Sequence, residues 1–401
     1  MSVAPATVDS ACLRRARAAV AACFFLNAVF YAGLVPRLPE VKAQLGLSST
    51  ALGAALAALP LGALLAGLSS AAFIRRFGSG RVASCGLVLL GVTVWTVSVA
   101  PNWLGLAAAL LVVGALDAIV DVAQNAHGLR VQRLYQRSIL NAFHGVWSIG
   151  AVAGGLLGSA AAGLRVPLVA HLGASALVFG VFALVASRGM LAGRDEPEPA
   201  AEEVLRERPR RRAAVPALAV LGVLAACGAF VEDAGASWSA LYLRTELDAG
   251  AATAGLGFVA LAVAMTVGRL TGDRVVDRFG QRRVARAGGA LTAAGMGLAL
   301  ALPSVSTTLV GFTLAGVGVA TLIPAVYQAA DELPGLPHGL GLAVINWLLR
   351  IGFLVSPPLV GALADATSLR VALLVVVLAG VGALVLGRSL PGGPATGRTG
   401  G

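Results

Sequence analysis

Three polar side chains recur one helical turn apart in an otherwise apolar stretch, "ALDAIVDVAQNAHGL": Asp117, Asp121 and Asn125. That spacing sets all three on one face of a helix. Two carboxylates a turn apart oppose each other's ionisation, which suits reversible protonation. A second acidic pair, Glu232 and Asp233, is adjacent in "GAFVEDAGASWSALYL". On an unbroken helix these two point about 100° apart, so one can face a cavity while the other meets a neighbouring helix. Gly228 and Gly235 would permit a local bend there. The third feature is Arg350, near the centre of "AVINWLLRIGFLVSPPLVGAL", with Asn346 one turn before it. An arginine cannot shed its charge, so it needs an anion. Glu232 or Asp233 could supply one as a helix-borne partner; an anionic substrate held by the guanidinium fork is the alternative. Asn27 and Tyr31, also one turn apart, could bind a hydroxylated solute or simply pack.

These residues matter because of the elements that carry them. The chain has 401 residues, of which 58% are hydrophobic and only 12% charged; the mean hydropathy is +0.86. A soluble domain carries about 25% charge. Apolar runs, most of them of about 20 residues, recur along the chain, each able to cross a bilayer core as a helix. They fall near 17–35, 50–72, 82–100, 103–126, 139–160, 167–187, 214–243, 251–271, 284–302, 305–328, 339–360 and 369–388. The seventh is long for one span and is expected to bend or to extend beyond the bilayer. The first is read as a retained helix, since no small-x-small cleavage site follows it. An ionised side chain at the centre of such a helix costs ~2.5–3.5 kcal/mol on insertion scales, so Asp117, Asp121, Glu232, Asp233 and Arg350 are where function is to be sought.

The net charge of +11 would suggest nucleic acid in a soluble chain. Here topology partitions it. With both termini in the cytoplasm, most of the 30 lysines and arginines fall in cytoplasmic segments, while Arg37, Lys42, Arg165, Arg244 and Arg370 lie outside. On this reading span 4 runs inward, and Asp121 and Asn125 approach the inner mouth. His144 enters span 5 from the same side, about 9 Å in at ~1.5 Å per residue. Asp121 and His144 therefore share a depth. They form either a proton relay and inner gate, or a hydrogen-bonded cluster holding spans 4 and 5 together. Trp147, Trp238 and Trp347 could stack on a ring-shaped solute or fill the core. Cys12, Cys23, Cys85 and Cys227 are isolated and suggest neither a disulfide nor zinc.

"RRFGSGRV" at 75–82 and "DRFGQRRV" at 277–284 match at an offset of 202, each after the second span of a six-span unit. Residues 1–190 and 214–401 read as two six-helix bundles, with 191–213 a charged, solvated linker. Parallel repeats of this kind are one architecture of secondary transporters.

In these loops the chain resembles the major facilitator superfamily, whose signature runs G-x-x-x-D-R-x-G-x-R-R. Asp277, Arg278, Gly280, Arg282 and Arg283 fall on it. The first copy departs, with Arg75 in the place of the acid and Ala71 in that of the first glycine. "DVAQNAHGLRVQ" with "LNAFHGVWSIGAVAGG", and "PAVYQAADELPG" with "GFLVSPPLVGAL", are similar to the YbjJ-type bacterial inner-membrane branch. The resemblance implies an all-α membrane protein of twelve helices that works by alternating access, with Asp277 and Arg278 at the inner gate.

The expected function is secondary transport of a small organic solute across the cytoplasmic membrane, proton-coupled and leaning to export. Uptake of a sugar-like or anionic metabolite, and a non-transporting sensor on a carrier fold, are the alternatives. Asn27, Tyr31, Asp117, Glu232, Asp233, Asn346 and Arg350 are the candidate substrate or proton residues; Asp121, Asn125 and His144 are the candidate gate or helix-pairing residues. No P-loop, HExxH or GxSxG occurs, so neither an ATP motor nor an enzyme is expected. No metal, cofactor or nucleic-acid partner is expected either, and the working unit is expected to be a monomer.

Overall fold

The computed structural model describes residues 10–67, 69–135, 139–193, 211–333, 336 and 340–391. Among these every regular element is helical. Twelve helices are long and apolar enough to cross a membrane: Ala11–Gln44, Ser49–Gly67, Ser79–Val99, Trp103–Tyr135, Leu140–Gly163, Leu168–Ser187, Val215–Thr245, Ala251–Phe279, Gln281–Ala301, Val305–Asp331, Leu340–Ala366 and Leu369–Ser389. They are numbered spans 1 to 12. Most of the expected linker, with Arg137 and Arg398, lies outside the described residues.

Packing repeats between the halves. Span 1 lies on span 5, span 2 on span 4, and span 3 on spans 4 and 6. Each pair recurs six spans later: 7 on 11, 8 on 10, and 9 on 10 and 12. The protein is thus two six-helix bundles of one design. Small residues set the closeness. Gly62 and Gly114 bring spans 2 and 4 together so tightly that a methyl group on either would meet the other helix's backbone, at Leu111 or Leu59. Without a hydrophobic driving force between helices in lipid, such close van der Waals contact is what holds them.

The basic loops show why their glycines recur. Gly78 (φ +85°, ψ 144°) ends the short helix Ser70–Phe77 and starts span 3. Gly280 (φ +82°, ψ 149°) ends span 8 and starts span 9. A positive φ favours a residue without Cβ, and the same corner is built at the same place in both bundles.

Several boundaries differ from the sequence expectation: span 1 runs Ala11–Gln44 rather than 17–35, and span 11 continues to Ala366. Spans 4 and 8 continue to Tyr135 and Phe279, because backbone hydrogen bonding does not stop where hydropathy does. Span 2 stops at Gly67 rather than 72, and Ser70–Phe77 is a helix of its own. Span 7 does bend: residues Ala234–Trp238 form a π-helical turn just after Asp233 and around Gly235. Such turns are frequent at functional sites.

Spans 2 and 11, and spans 5 and 8, join the bundles. The end that carries Arg75, Arg76, Arg81, Arg274, Arg278 and Arg282 is called the basic end, and the opposite one the far end. The tightest inter-bundle approaches are at the far end, where Gly53 meets Pro357, Gly361 meets Ser49, and Gly163 meets Ala252. The inter-bundle hydrogen bonds between described residues are there too: Asp365 accepts from the backbone N–H groups of Ser49 (2.9 Å) and Thr50 (2.7 Å), and Thr50 Oγ1 donates to the Gly361 carbonyl. Toward the basic end, a side chain at Gly145 would meet Leu270 only at an ordinary 3.8 Å. The bundles are therefore clasped at the far end.

Candidate functional site

Between the bundles lies a cavity of about 160 Å³, lined by Asn27, Tyr31, Asp117 and Trp147 on one side and Glu232 and Arg269 on the other. Phe258, Leu261 and Met265 supply much of its apolar wall.

The N-terminal side is organised by Asn27. This buried amide donates through Nδ2 to Asp117 Oδ1 (2.8 Å) and accepts at Oδ1 from Trp147 Nε1 (2.9 Å). One side chain thus ties spans 1, 4 and 5 at the cavity, and its oxygen and nitrogen are both used. The second carboxylate oxygen of Asp117 and the hydroxyl of Tyr31 have no hydrogen-bond partner among the described residues. Both are available to a solute.

The C-terminal side is organised by the bend in span 7. Glu232 lies 3.5 Å from Arg269 of span 8, and both are partly exposed to the cavity. Asp233 turns away and is buried. Its two oxygens accept from Ser237 Oγ (2.8 Å) and Ser356 Oγ (2.6 Å), which fixes the turn against span 11.

In this arrangement Arg350 does not meet the helix-borne one of the two anions open to it. Neither Glu232 nor Asp233 reaches it, because Arg269 and the two serines already occupy them. Arg350 is half-buried, with no hydrogen bond or ion pair among the described residues. Helical rise places it. Pro357 is level with Gly53, and Gly114 with Leu59. Counting ~1.5 Å per residue from these contacts puts Arg350 about 10 Å, and Asp117 about 13 Å, from the Gly53 level toward the basic end. They share a depth on opposite bundles.

Asp121 and His144, read as either a relay and gate or a hydrogen-bonded cluster, make no hydrogen bond to each other. Asp121 Oδ1 accepts from Asn125 (3.0 Å) and Gln124 (3.2 Å) of its own helix. His144 is exposed and stands edge-on to Phe24, with centroids 5.2 Å apart. Shared depth did not give a direct hydrogen bond, because the Asp121 oxygen is taken by amides of its own turn. Asn346 accepts from the Tyr327 hydroxyl (3.1 Å), linking spans 10 and 11, and does not line the central cavity. Asp277 and Arg278 are exposed at the basic end, with the Arg278 guanidinium over the Phe279 ring at 5.4 Å. Trp238 is fully buried and Trp347 is 53% exposed, so of the three tryptophans only Trp147 lines the cavity.

Sequence reasoning missed Arg269 as a cavity residue and Asp365 as a clasp. Arg269 reads from sequence as a residue near the cytoplasmic end of span 8; the signal available was the need of Glu232 for a cation within the same bundle. Asp365 gave none, since it follows an apolar run as an ordinary exposed acid.

Two repeated six-helix bundles around a central, mainly apolar cavity with a few ionisable groups define a secondary-carrier architecture. The sequence profile described as "Major Facilitator Superfamily" matches residues 20–231 and 218–399, and the chain belongs to that superfamily. It is 30% identical over 351 residues to an uncharacterized MFS-type transporter of Yersinia pestis, covering 87% of this chain and 89% of that one. It is 29% identical to the membrane protein MosC of Rhizobium meliloti over 90% of this chain and 87% of that one. Among solved structures, an inward-facing bacterial homolog of the human lysosomal transporter Spinster aligns with a TM-score of 0.74 at 14% identity, over 96% of this chain and 98% of that one. A point mutant of the nucleoside transporter NupG aligns at 0.71 and 10% identity, over 92% and 98%.

Proposed function

We propose that the protein is a proton-coupled carrier that exports a small amphipathic solute across the cytoplasmic membrane. The excess of arginine at the basic end supports a cytoplasmic position for that end and for both termini. In this orientation the far-end clasp closes the outside, and the cavity is loaded from the cytoplasm. Residues 191–213 connect the two bundles, and one chain is the working unit.

The observation that carries the reading is Asp117. It is held by Asn27 on one oxygen and free on the other, in a cavity walled by aromatic and aliphatic side chains. The free oxygen binds either a proton or the polar end of a solute, and exchange between the two couples their movements. Glu232 is the second proton-accepting group, released or held by Arg269. Arg350 has its anion across the cleft: when the far end opens and the basic end closes, it meets Asp117 and Asp121.

The test is a ligand thermal-shift screen over cationic amphipaths, neutral polyols and organic anions, followed by flux of the hit in proteoliposomes under an imposed pH gradient. A hit that stabilises the wild type but not Asp117→Asn, and whose flux follows the gradient, is expected. Flux indifferent to the gradient refutes the coupling. The unpaired Arg350 favours a second reading, uptake of an anionic metabolite. A hit confined to organic anions and lost in Arg350→Ala selects it. Binding without flux selects a sensor.

A further inference from the structure

We propose that the outer face of the N-terminal bundle carries a specific site for an anionic phospholipid, in the groove between spans 1 and 6. The groove is separate from the central cavity and has a volume of about 750 Å³, within the ~300–1,000 Å³ of ordinary ligand sites. Its wall is formed by Ala18 and Ala22 of span 1, with Phe25 deeper in, and by Phe179 and Phe182 of span 6. Alanines on one helix facing phenylalanines on the other leave a trough rather than a ridge.

The ends of the trough differ. Arg15 and Arg188 both line it at the basic end. Both are exposed, and neither has a hydrogen bond or ion pair among the described residues. Gly189 draws their helices together: a Cβ there would meet the Arg15 carbonyl and Ala19 at 3.1 Å. From Arg15 to Leu26, the deepest lining residue of span 1, eleven residues rise about 16 Å. One leaflet of a ~30 Å hydrocarbon core is ~15 Å deep. The trough therefore has the length of one acyl layer, with two unpaired guanidinium groups where a lipid phosphate would lie. An apolar trough one leaflet long, capped by two cations, is complementary to an anionic phospholipid, whose chains use surface that a soluble anion would leave bare.

Native mass spectrometry of the detergent-purified full chain, titrated with dioleoyl phosphatidylglycerol or dioleoyl phosphatidylcholine, tests this. Phosphatidylglycerol is expected to bind first and more tightly. Arg15→Gln with Arg188→Gln should weaken it about thirtyfold, the product expected for two cations at a lipid surface. Arg75→Gln with Arg76→Gln removes equal charge elsewhere at the basic end and should leave the first lipid bound. Ala22→Phe fills the trough without touching a charge and should also expel it. Glycerol phosphate, the headgroup without chains, should not bind. Equal binding of both lipids, equal loss in the Arg75/Arg76 control, or retention in Ala22→Phe overturns the proposal.

Discussion

The Asp365 clasp should set how readily the carrier opens at its far end. Its carboxylate spans the two bundles and accepts from the first two N–H groups of span 2, at 2.9 and 2.7 Å. These donors point out of a helix N-terminus and have no intrahelical acceptor. Opening the far end must break both bonds. A buried hydrogen bond to a charged group is worth ~1.5–3 kcal/mol, but Asp365 is exposed and water replaces it as the bundles part. The fitting scale is that of an N-cap, ~0.5–2 kcal/mol and typically ~1. Asp365→Ala should then raise the far-open population about fivefold, since ~1.4 kcal/mol is tenfold. Asp365→Asn keeps one acceptor and should raise it less. The assay uses a background with Cys12, Cys23, Cys85 and Cys227 replaced by serine, and Ala151→Cys as a reporter lining the cavity. A membrane-impermeant maleimide applied from the far face reports opening through its labelling rate. Gly53→Val is the positive control, because any Cβ there collides with the Pro357 backbone. If Gly53→Val speeds labelling and Asp365→Ala does not, the clasp carries no part of the closure.

Asn27→Ala strips partners from Asp117 and Trp147 together; leaving such groups unpaired costs ~1–3 kcal/mol each when buried, so a clear fall in detergent melting temperature is expected, and an unchanged melt would refute the three-span tie. Ser356→Ala bares one oxygen of the buried Asp233 and should destabilise by a similar ~1–3 kcal/mol in the same melt. Glu232→Gln should behave oppositely: its pair with Arg269 is long and partly exposed, worth ~0–1 kcal/mol, so stability holds while gradient-driven flux falls in proteoliposomes. Arg350→Ala should melt no lower than the wild type, because no ion pair is broken; a marked loss of stability would show that the arginine has an anion in this conformation after all.

Much of the architecture was legible in the sequence because membrane helices announce themselves one at a time. Each apolar run needs only its own length and composition to be recognised. The two "RFG" corners exposed the repeat because a positive φ constrains Gly78 and Gly280 alike. Depth was also legible: Asn27, Tyr31, Asp117 and Glu232 do line the central cavity. Partnership was not. It depends on which helices adjoin and how each is rotated, and apolar spans packed on most sides leave no clear stripe to show the rotation. Asp121 and His144 share a depth and make no hydrogen bond. Glu232 and Asp233 diverge as their spacing requires, yet only the bend at Ala234–Trp238 decides that Asp233 goes to serines and Glu232 to Arg269.

Arg350 joins these strands. A half-buried guanidinium within a membrane helix is costly on any scale, ~2.5–3.5 kcal/mol at the centre on the mildest, and a protein at rest in one conformation gains nothing by leaving it unpaired. Asp117, at the same depth on the opposite bundle, has an oxygen to spare. Within either bundle the remaining midplane charges are settled: Glu232 by Arg269, Asp233 by serines, Asp121 by amides of its own turn. The two unsettled groups are of opposite sign and lie at one depth on opposite bundles, on the basic-end side of the clasp. Under the proposed function, a pair made when the basic end closes and the clasp made when the far end closes would place the same kind of interaction at opposite ends of one rocking motion. Either can be offset against the other, so neither closed form need be deeply favoured. Under the same proposal, a solute or proton on Asp117 would tip the balance by occupying the oxygen that Arg350 would otherwise meet.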